Sequence, residues 1–137
     1  MKHYVFDSFA IIAFLEDESG ADLIERVLQK MLLRQARGWM SVINWGEVYY
    51  NTYREQGLDA AERVIAQLAR YPIEIVQADM DLTKSAALLK GKYRIAYADC
   101  FAAALAKRKK ALLLTGDPEF RILEKETSII WMSESQE

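Results

Sequence analysis

The sequence predicts an α/β fold, a mainly parallel central sheet flanked by helices. Short apolar runs alternate along the chain with segments of helical periodicity, which is the pattern of strands joined by crossover helices. One run, residues 111–114, is apolar without alternation, so we expect a strand buried on both faces, as a central parallel strand is. The length of 137 residues is that of one ordinary domain, and we expect residues 1–137 to form a single domain.

The first half of the chain predicts two strands and two helices. In order, we expect a strand over 4–6, a helix over about 20–37 closed by Gly38, a strand over 39–42, and a helix from a cap at Asn44 to about Gln56. The first helix follows from the spacing of its apolar residues at i, i+3, i+4 and i+7, which are Ile24, Val27, Leu28 and Met31.

The second half continues the alternation with three helices and three strands. We expect a helix capped by Asp59 and ended by Tyr71-Pro72, and then a strand over 73–76. The next helix runs from Asp79 or Asp81 to about Lys90 with Gly91 beyond it, and another lies around 98–105 and ends in a basic run over 107–110. A strand over 111–114 and a last strand over 129–131 follow.

The composition excludes several classes of protein. Cys100 is the only cysteine and His3 the only histidine, so an intramolecular disulfide, a Cys/His zinc site and catalytic triads that need a histidine are ruled out. The longest apolar run near the N-terminus, residues 9–15, is too short to span a bilayer. We therefore expect a soluble cytoplasmic protein without a membrane partner.

Charge is distributed unevenly along the chain. Residues 1–83 carry eight basic and thirteen acidic side chains, residues 84–125 carry ten basic and four acidic ones, and residues 126–137 add three glutamates. A basic half of a domain is typical of a site for a polyanion such as a nucleic acid. The alternative is a solvated helix face with cations at its C-terminal end.

Four acidic residues are predicted to meet at one edge of the sheet. Asp7 and Asp117 follow strands, whereas Glu47 and Asp99 fall in the first turns of predicted helices. In parallel α/β sheets, ligands bind outside the carboxyl ends of the strands, near the point where the strand order reverses. Taken singly, each acid has a simpler interpretation, as a helix cap, a first-turn acid or a turn residue before proline.

Taken together, these carboxylates favour a metal site. Carboxylates that crowd together raise one another's pKa, and a divalent cation removes that cost. Ligands that are all oxygen atoms favour Mg²⁺ or Mn²⁺ over zinc. Since the chain has no histidine suited to act as a base, metal-activated water is the natural route to hydrolysis of a phosphodiester.

The sequence resembles the PIN-domain family, and within it the VapC-type toxins of toxin–antitoxin pairs. The resemblance rests on four motifs in order, Tyr4-Val5-Phe6-Asp7-Ser8, Asn44-Trp45-Gly46-Glu47-Val48, Tyr97-Ala98-Asp99 and Leu113-Leu114-Thr115-Gly116-Asp117-Pro118. It implies a PIN-like α/β nuclease domain that binds Mg²⁺ or Mn²⁺ and cleaves single-stranded regions of RNA.

The resemblance also assigns residues. By position, Asp7, Glu47, Asp99 and Asp117 are similar to the family's acidic quartet, with Asp7 and Asp99 as the most direct ligands. For Glu47 and Asp117 three roles remain open: direct ligand of the metal, ligand through a water molecule, or group that orients the nucleophile. The supporting hydroxyl residues of the family correspond to Ser8 and Thr115, and Glu119, a further candidate, is expected to be simply an exposed acid.

Partners are implied as well. Proteins of this type are held inactive by a small VapB-like antitoxin, and they often form homodimers. The helix after Asn44 is rich in large aromatic residues, namely Trp45, Tyr49, Tyr50 and Tyr53. One narrow helical stripe does not bury all of them, so an exposed patch for a partner, a stacking surface for bases and a place in the core all remain open.

Two other functions compete with the nuclease. The first is a non-catalytic module of the same fold that binds RNA or protein, in which the acids have no chemical role. The second is a phosphatase that forms an aspartyl-phosphate on Asp7. That class of enzyme needs a second aspartate two residues later, where this chain has Phe9.

Overall fold

The computed structural model, which describes residues 1–133, contains one five-stranded parallel sheet. The strands are β1 (Lys2–Phe6), β2 (Ala36–Ser41), β3 (Ile73–Val76), β4 (Leu112–Thr115) and β5 (Ile129–Trp131). Their order across the sheet is β3-β2-β1-β4-β5, and every neighbouring pair is parallel. The chain builds outward from β1 to one side and then returns to the other, so the strand order reverses between β1 and β4.

Helices cover both faces of this sheet. They are α1 (Ser8–Leu15), α2 (Ala21–Leu32), α3 (Val42–Gln56), α4 (Leu58–Leu68), α5 (Met80–Lys92) and α6 (Tyr97–Lys109), with a 3-10 helix over Pro118–Leu123. The core on one face is formed with α1 to α4, and the core on the other face with α5, α6 and the 3-10 helix. The predicted α/β fold with a mainly parallel sheet is confirmed, and β4 lies inside the sheet between β1 and β5.

The predicted end of the helix over 20–37 is wrong. Helix α2 ends at Leu32, the chain turns through Arg34 at a φ of 60°, and β2 has already begun at Ala36. Gly38 therefore belongs to the strand. A Cβ atom there would stand 2.6 Å from Met31 Cε and 2.8 Å from Phe6 Cε2, so this glycine makes room for α2 to pack on the sheet.

Two predicted helix starts are also wrong. Helix α3 begins at Val42, where Ser41 is the cap and its Oγ accepts a hydrogen bond from the amide of Ile43 at 3.1 Å. Asn44 is therefore inside the helix, and Glu47 lies in its second turn instead of its first. Helix α4 likewise begins one residue before Asp59, directly after Gly57, whose φ of 93° suits a glycine.

Helix α1 was absent from the predicted elements. Its sequence, SFAIIAFL, is apolar on every side and has no polar face to mark it as a helix. Two smaller differences concern Gly91, which lies within α5, and the strand predicted over 111–114, which runs one residue later. No helix within residues 1–133 is long and apolar enough to cross a membrane. Two of the three glutamates of the acidic tail, Glu134 and Glu137, lie outside the described residues.

Candidate metal centre

Five carboxylates approach one another at the carboxyl edge of the sheet, beside the point where the strand order reverses. They come from the ends of β1 and β4, from the 3-10 helix that follows β4, and from the first half of α3 and of α6. Asp7 is close enough to Asp99 and Asp117 for their charges to raise its pKa, and Asp99 senses Asp117, Glu47 and Glu119 in the same way. The topology therefore brings together all four acids that the sequence singled out, and adds a fifth.

Asp7 is both a helix cap and a buried acid. Its side chain is 1% exposed, and Oδ1 accepts a hydrogen bond from the amide of Ala10 at 2.8 Å, which caps α1. Burial raises the pKa of Asp7 to about 7, with smaller contributions from the charges of Asp99 and Asp117 and opposition from its hydrogen bonds. A cap alone needs no such burial, because an exposed aspartate caps a helix equally well.

Thr115 connects the two acids that follow the central strands. Its hydroxyl donates a hydrogen bond to Asp7 Oδ2 at 2.5 Å and accepts one from the amide of Asp117 at 3.1 Å. Asp117 in turn accepts a hydrogen bond on Oδ1 from the amide of Glu119 at 2.9 Å, which begins the 3-10 helix at Pro118. The turn expected at Asp117 is thus present, and it carries the acid toward the others.

Asp99 is the third residue of α6, and it is almost completely buried. Burial is the largest cause that raises its pKa to about 7, and the nearby carboxylates add to it. Carboxylate oxygens of Asp99, Asp117 and Glu119 all lie within 4.8 Å of one another. Glu119 is exposed, as expected, yet it belongs to this cluster because the cap at Asp117 folds the next residues back.

Glu47 is held in place by two side chains. Its Oε1 accepts hydrogen bonds from Ser8 Oγ at 2.8 Å and from Asn44 Nδ2 at 3.1 Å. Asn44 Nδ2 also donates to the carbonyl of Ala98 at 3.1 Å, so the fully buried Asn44 ties α3 to the residue before Asp99. The sequence predicts a cap at Asn44, whereas in the structure its amide orients Glu47 and its bond to Ala98 spans 54 residues of the chain.

The donor set fits a hard divalent cation. Its members offer only oxygen atoms, the type of ligand that Mg²⁺ and Mn²⁺ prefer. Two ligands on opposite sides of a Mg²⁺ ion lie about 4.2 Å apart, so oxygens within 4.8 Å of one another close on such an ion with small side-chain shifts. A cation here would also replace the protons that Asp7 and Asp99 hold near neutral pH.

The basic run at the end of α6 lies away from the acids. The helix starts at the carboxyl edge and runs back toward the start of β4, so Lys109 is about 15 Å along the helix from Asp99. Lys107 forms an ion pair with Glu126 at 2.9 Å, and Arg108 pairs with Asp79 at 3.0 Å. This arrangement favours the interpretation of the run as a cationic helix end over a phosphate site beside the metal.

The aromatic residues of α3 divide into two groups. Trp45 and Tyr49 stack with ring centroids 5.9 Å apart, and the Tyr49 hydroxyl donates a hydrogen bond to Glu62 of α4. Tyr50 and Tyr53 are exposed, and the Arg54 guanidinium lies over the Tyr50 ring at 5.3 Å. The stacked pair of Trp45 and Tyr49 therefore joins α3 to α4, whereas Tyr50 and Tyr53 lie on the protein surface.

Comparison with known proteins gives one family and many similar folds. The family model of the PIN domain matches residues 4–126. No curated protein matches the sequence. Among solved structures, DNA-bound VapBC from Salmonella typhimurium is similar with a TM-score of 0.73 at 15% identity, covering 96% of this chain and 99% of that one.

Two further structures have the same fold. VapBC2 from Rickettsia felis, bound to a fragment of promoter DNA, has a TM-score of 0.71 at 15% identity and covers 93% of this chain and 97% of its own. VapC20 from Mycobacterium tuberculosis, described as a toxin that cleaves the sarcin–ricin loop, has a TM-score of 0.67 at 16% identity and covers 88% and 94%.

Proposed function

The chain belongs to the PIN-domain family, and we propose that it is a Mg²⁺- or Mn²⁺-dependent endoribonuclease that cleaves single-stranded regions of RNA. In this proposal residues 1–137 form one nuclease domain. The observation that carries it is the meeting of Asp7, Glu47, Asp99, Asp117 and Glu119 at the switch point of the sheet, with two of them buried. Placing five acids together is costly for a protein that binds no cation.

Each acid has a part in the proposed reaction. Asp99, Asp117 and Glu119 would hold the cation, and Asp7, fixed by Ala10 and Thr115, would complete the site from β1. A divalent cation in such a site lowers the pKa of water and neutralises charge on the phosphate. We assign the role of proton acceptor to a carboxylate, because His3, the only histidine, lies at the beginning of β1.

Glu47 is the carboxylate that we assign to the attacking water. Its Oε1 is occupied by the hydrogen bonds from Ser8 and Asn44, which fix the plane of the carboxylate. The other oxygen is then the acceptor for a proton of the water. Ser8 and Thr115 are supporting residues in this scheme, since one orients Glu47 and the other connects Asp7 to Asp117.

A biological role as a toxin follows from the same family resemblance. The similar structures from Salmonella typhimurium and Rickettsia felis are complexes named VapBC. We therefore propose that this chain acts in the cytoplasm, that a VapB-like antitoxin holds it inactive, and that it forms a homodimer. The exposed Tyr50 and Tyr53 of α3 are suited to such a protein contact.

Cleavage of RNA by the purified protein tests the proposal. We expect a labelled RNA with a long single-stranded loop to be cut with Mg²⁺ or Mn²⁺ and to stay intact with EDTA. Asp7→Asn and Asp99→Asn should each lower the rate at least about 100-fold, the effect expected when a group that stabilises the transition state is removed. Glu25→Gln, an exposed acid on α2, is the matched control and should cleave normally.

Two results would decide against it. Full activity in both aspartate variants would show that the acids are not the site. Binding of varied RNAs without cleavage under any metal condition would instead favour a non-catalytic binding module of this fold.

A further inference from the structure

The ring of Phe9 stands beside the acidic site and is unusually open for its type. Phe9 is the second residue of α1, two residues after Asp7, and is 42% exposed, whereas its neighbours Ala10 and Ile11 are fully buried. Phenylalanine is among the residues most often buried in folded proteins. An exposed ring at this position is not needed for the core that α1 forms with the sheet.

One edge of the ring is fixed against the loop that carries Asp117. A Cβ atom on Gly116 would stand 2.5 Å from Phe9 Cε1 and 3.1 Å from Cδ1. The φ of Gly116 lies outside the left-handed region, so this glycine is required for space and not for its backbone conformation. Thr115 and Asp117 flank it in the chain, and therefore the ring rests on the segment between two members of the site.

We propose that Phe9 is the residue on which a nucleobase of the RNA stacks, next to the phosphate that the acids and their cation hold. This inference rests on the proposed function. Single-stranded RNA presents unpaired bases, and proteins bind them by stacking on aromatic side chains. A nucleotide carries its base one sugar away from its phosphate, and Gly116, against which the ring lies, directly precedes Asp117 in the chain.

The fixed edge makes this ring a good platform. A phenylalanine has only two rotatable side-chain bonds, and a ring that already lies against Gly116 has less conformational freedom to lose when a base binds. The ring carries no charge or polar group, so stacking on it tolerates any base and selects for a base that is free of its own pairing partner. Stacking on Phe9 would thereby give the site a preference for single strands.

Tyr97 is the other exposed aromatic residue near this edge, and it fits less well. Its ring lies against Phe101 on the same helix, with centroids 5.0 Å apart. Tyr97 precedes Asp99 by two residues, which places the two side chains on well-separated sides of α6. The ring of Tyr97 is therefore directed away from Asp99. The ring of Phe9, in contrast, lies against Gly116, the residue before Asp117.

The first test separates stacking from simple packing. In Phe9→Leu the side chain stays apolar and fills the space beside Gly116, but it has no aromatic face. We expect KM for a single-stranded RNA to rise about tenfold with kcat within about twofold, since stacking binds ground state and transition state alike. Phe9→Tyr should keep the wild-type KM, and Leu88→Ala, which removes an exposed apolar side chain on α5, should keep it as well.

Removal of single bases from the RNA identifies the contact. In the wild type, an abasic nucleotide at one position next to the cut should raise KM about tenfold, and in Phe9→Leu the same abasic nucleotide should add less than about twofold. Equal losses in both proteins at every position would overturn the inference while leaving the nuclease intact. A wild-type KM in Phe9→Leu would overturn it too.

The contact with Gly116 supplies an independent variant. In Gly116→Ala the new methyl group displaces the Phe9 ring, so KM should rise as it does in Phe9→Leu. In the Phe9→Ala background, which has room for the methyl group, Gly116→Ala should change KM by less than about twofold. An unchanged KM in the single variant would count against a fixed ring as the platform.

Failure of the nuclease is recognised separately. If the wild type does not cut RNA, its binding can be measured directly with Mg²⁺ present, by fluorescence anisotropy of the same oligonucleotide. About tenfold weaker binding by Phe9→Leu would then support the platform without the nuclease. Equal binding by both proteins, or no binding by either, would overturn it.

Discussion

Replacing Asp7 with asparagine should stabilise the metal-free protein at neutral and alkaline pH. The folded state raises the pKa of Asp7 from 3.8 to about 7, chiefly by burial. The carboxyl therefore binds its proton more tightly in the folded protein than in the unfolded one. Its cost to stability is absent below about pH 4, grows as the pH rises toward 7, and is complete above that.

The size of the effect follows from the same pKa values. Each pKa unit corresponds to about 1.4 kcal/mol, so the ionised Asp7 lowers the free energy of unfolding by about 4 kcal/mol at pH 8. Asparagine keeps an oxygen that can cap α1 at Ala10, but its amide group no longer accepts the hydrogen bond from Thr115, a loss of about 1 kcal/mol. We expect a net gain of about 3 kcal/mol at pH 8.

Near pH 4 the gain in stability of Asp7→Asn should disappear or become a small loss. There Asp7 is protonated in the folded state, the cost of its charge is gone, and only the lost hydrogen bond remains. Urea unfolding of both proteins in EDTA, at intervals from pH 4 to pH 8, measures the whole curve. Glu25→Gln, on the exposed face of α2, is the control and should show no such trend. A constant loss of stability in Asp7→Asn over the full range would mean that Asp7 is only a helix cap.

Three further variants test other parts of the site and fold. Glu119→Gln should weaken Mn²⁺ binding about tenfold in a calorimetric titration while changing the free energy of unfolding by less than about 0.5 kcal/mol, because Glu119 is exposed; unchanged affinity would remove it from the site. Asn44→Ala should lower the free energy of unfolding by about 2 kcal/mol, since Asn44 is fully buried and its amide donates two hydrogen bonds, and urea unfolding that matches the wild type would contradict this. Gly38→Ala should cost about 2 kcal/mol or more by the same measurement, because its Cβ would overlap Met31 and Phe6; a neutral result would show that α2 shifts freely.

Local patterns were sufficient where an element is bounded by its own chemistry. The strands over 73–76 and 129–131 have the predicted limits, since the first begins after Pro72 and ends before Gln77, and the second begins after Ser128. The edge of the sheet at which Asp7 and Asp117 lie also followed from the sequence, since both acids come after strands and parallel strands share one carboxyl edge. These predictions required no knowledge of distant contacts.

The remaining features depend on residues far apart in the chain. Gly38 looked like the end of a helix because its real neighbours, Met31 and Phe6, are visible only when α2 packs on the sheet. Asn44 looked like a cap because its bond to Ala98 joins two helices 54 residues apart. Helix α1 has no polar face to mark it, as it is covered on most sides. Glu119 entered the cluster only through the turn that Asp117 caps.

Thermal unfolding in the presence of Mn²⁺ tests most directly whether these carboxylates form a metal site. At pH 7.5 Mn²⁺ should raise the free energy of unfolding of the wild type by about 2.7 kcal/mol at one hundred times the dissociation constant, which raises Tm by about 10 °C for a chain of this length. In Asp99→Asn the rise should vanish. An equal rise in Asp99→Asn, or a flat curve in the wild type with RNA also present, would contradict a metal site at these acids.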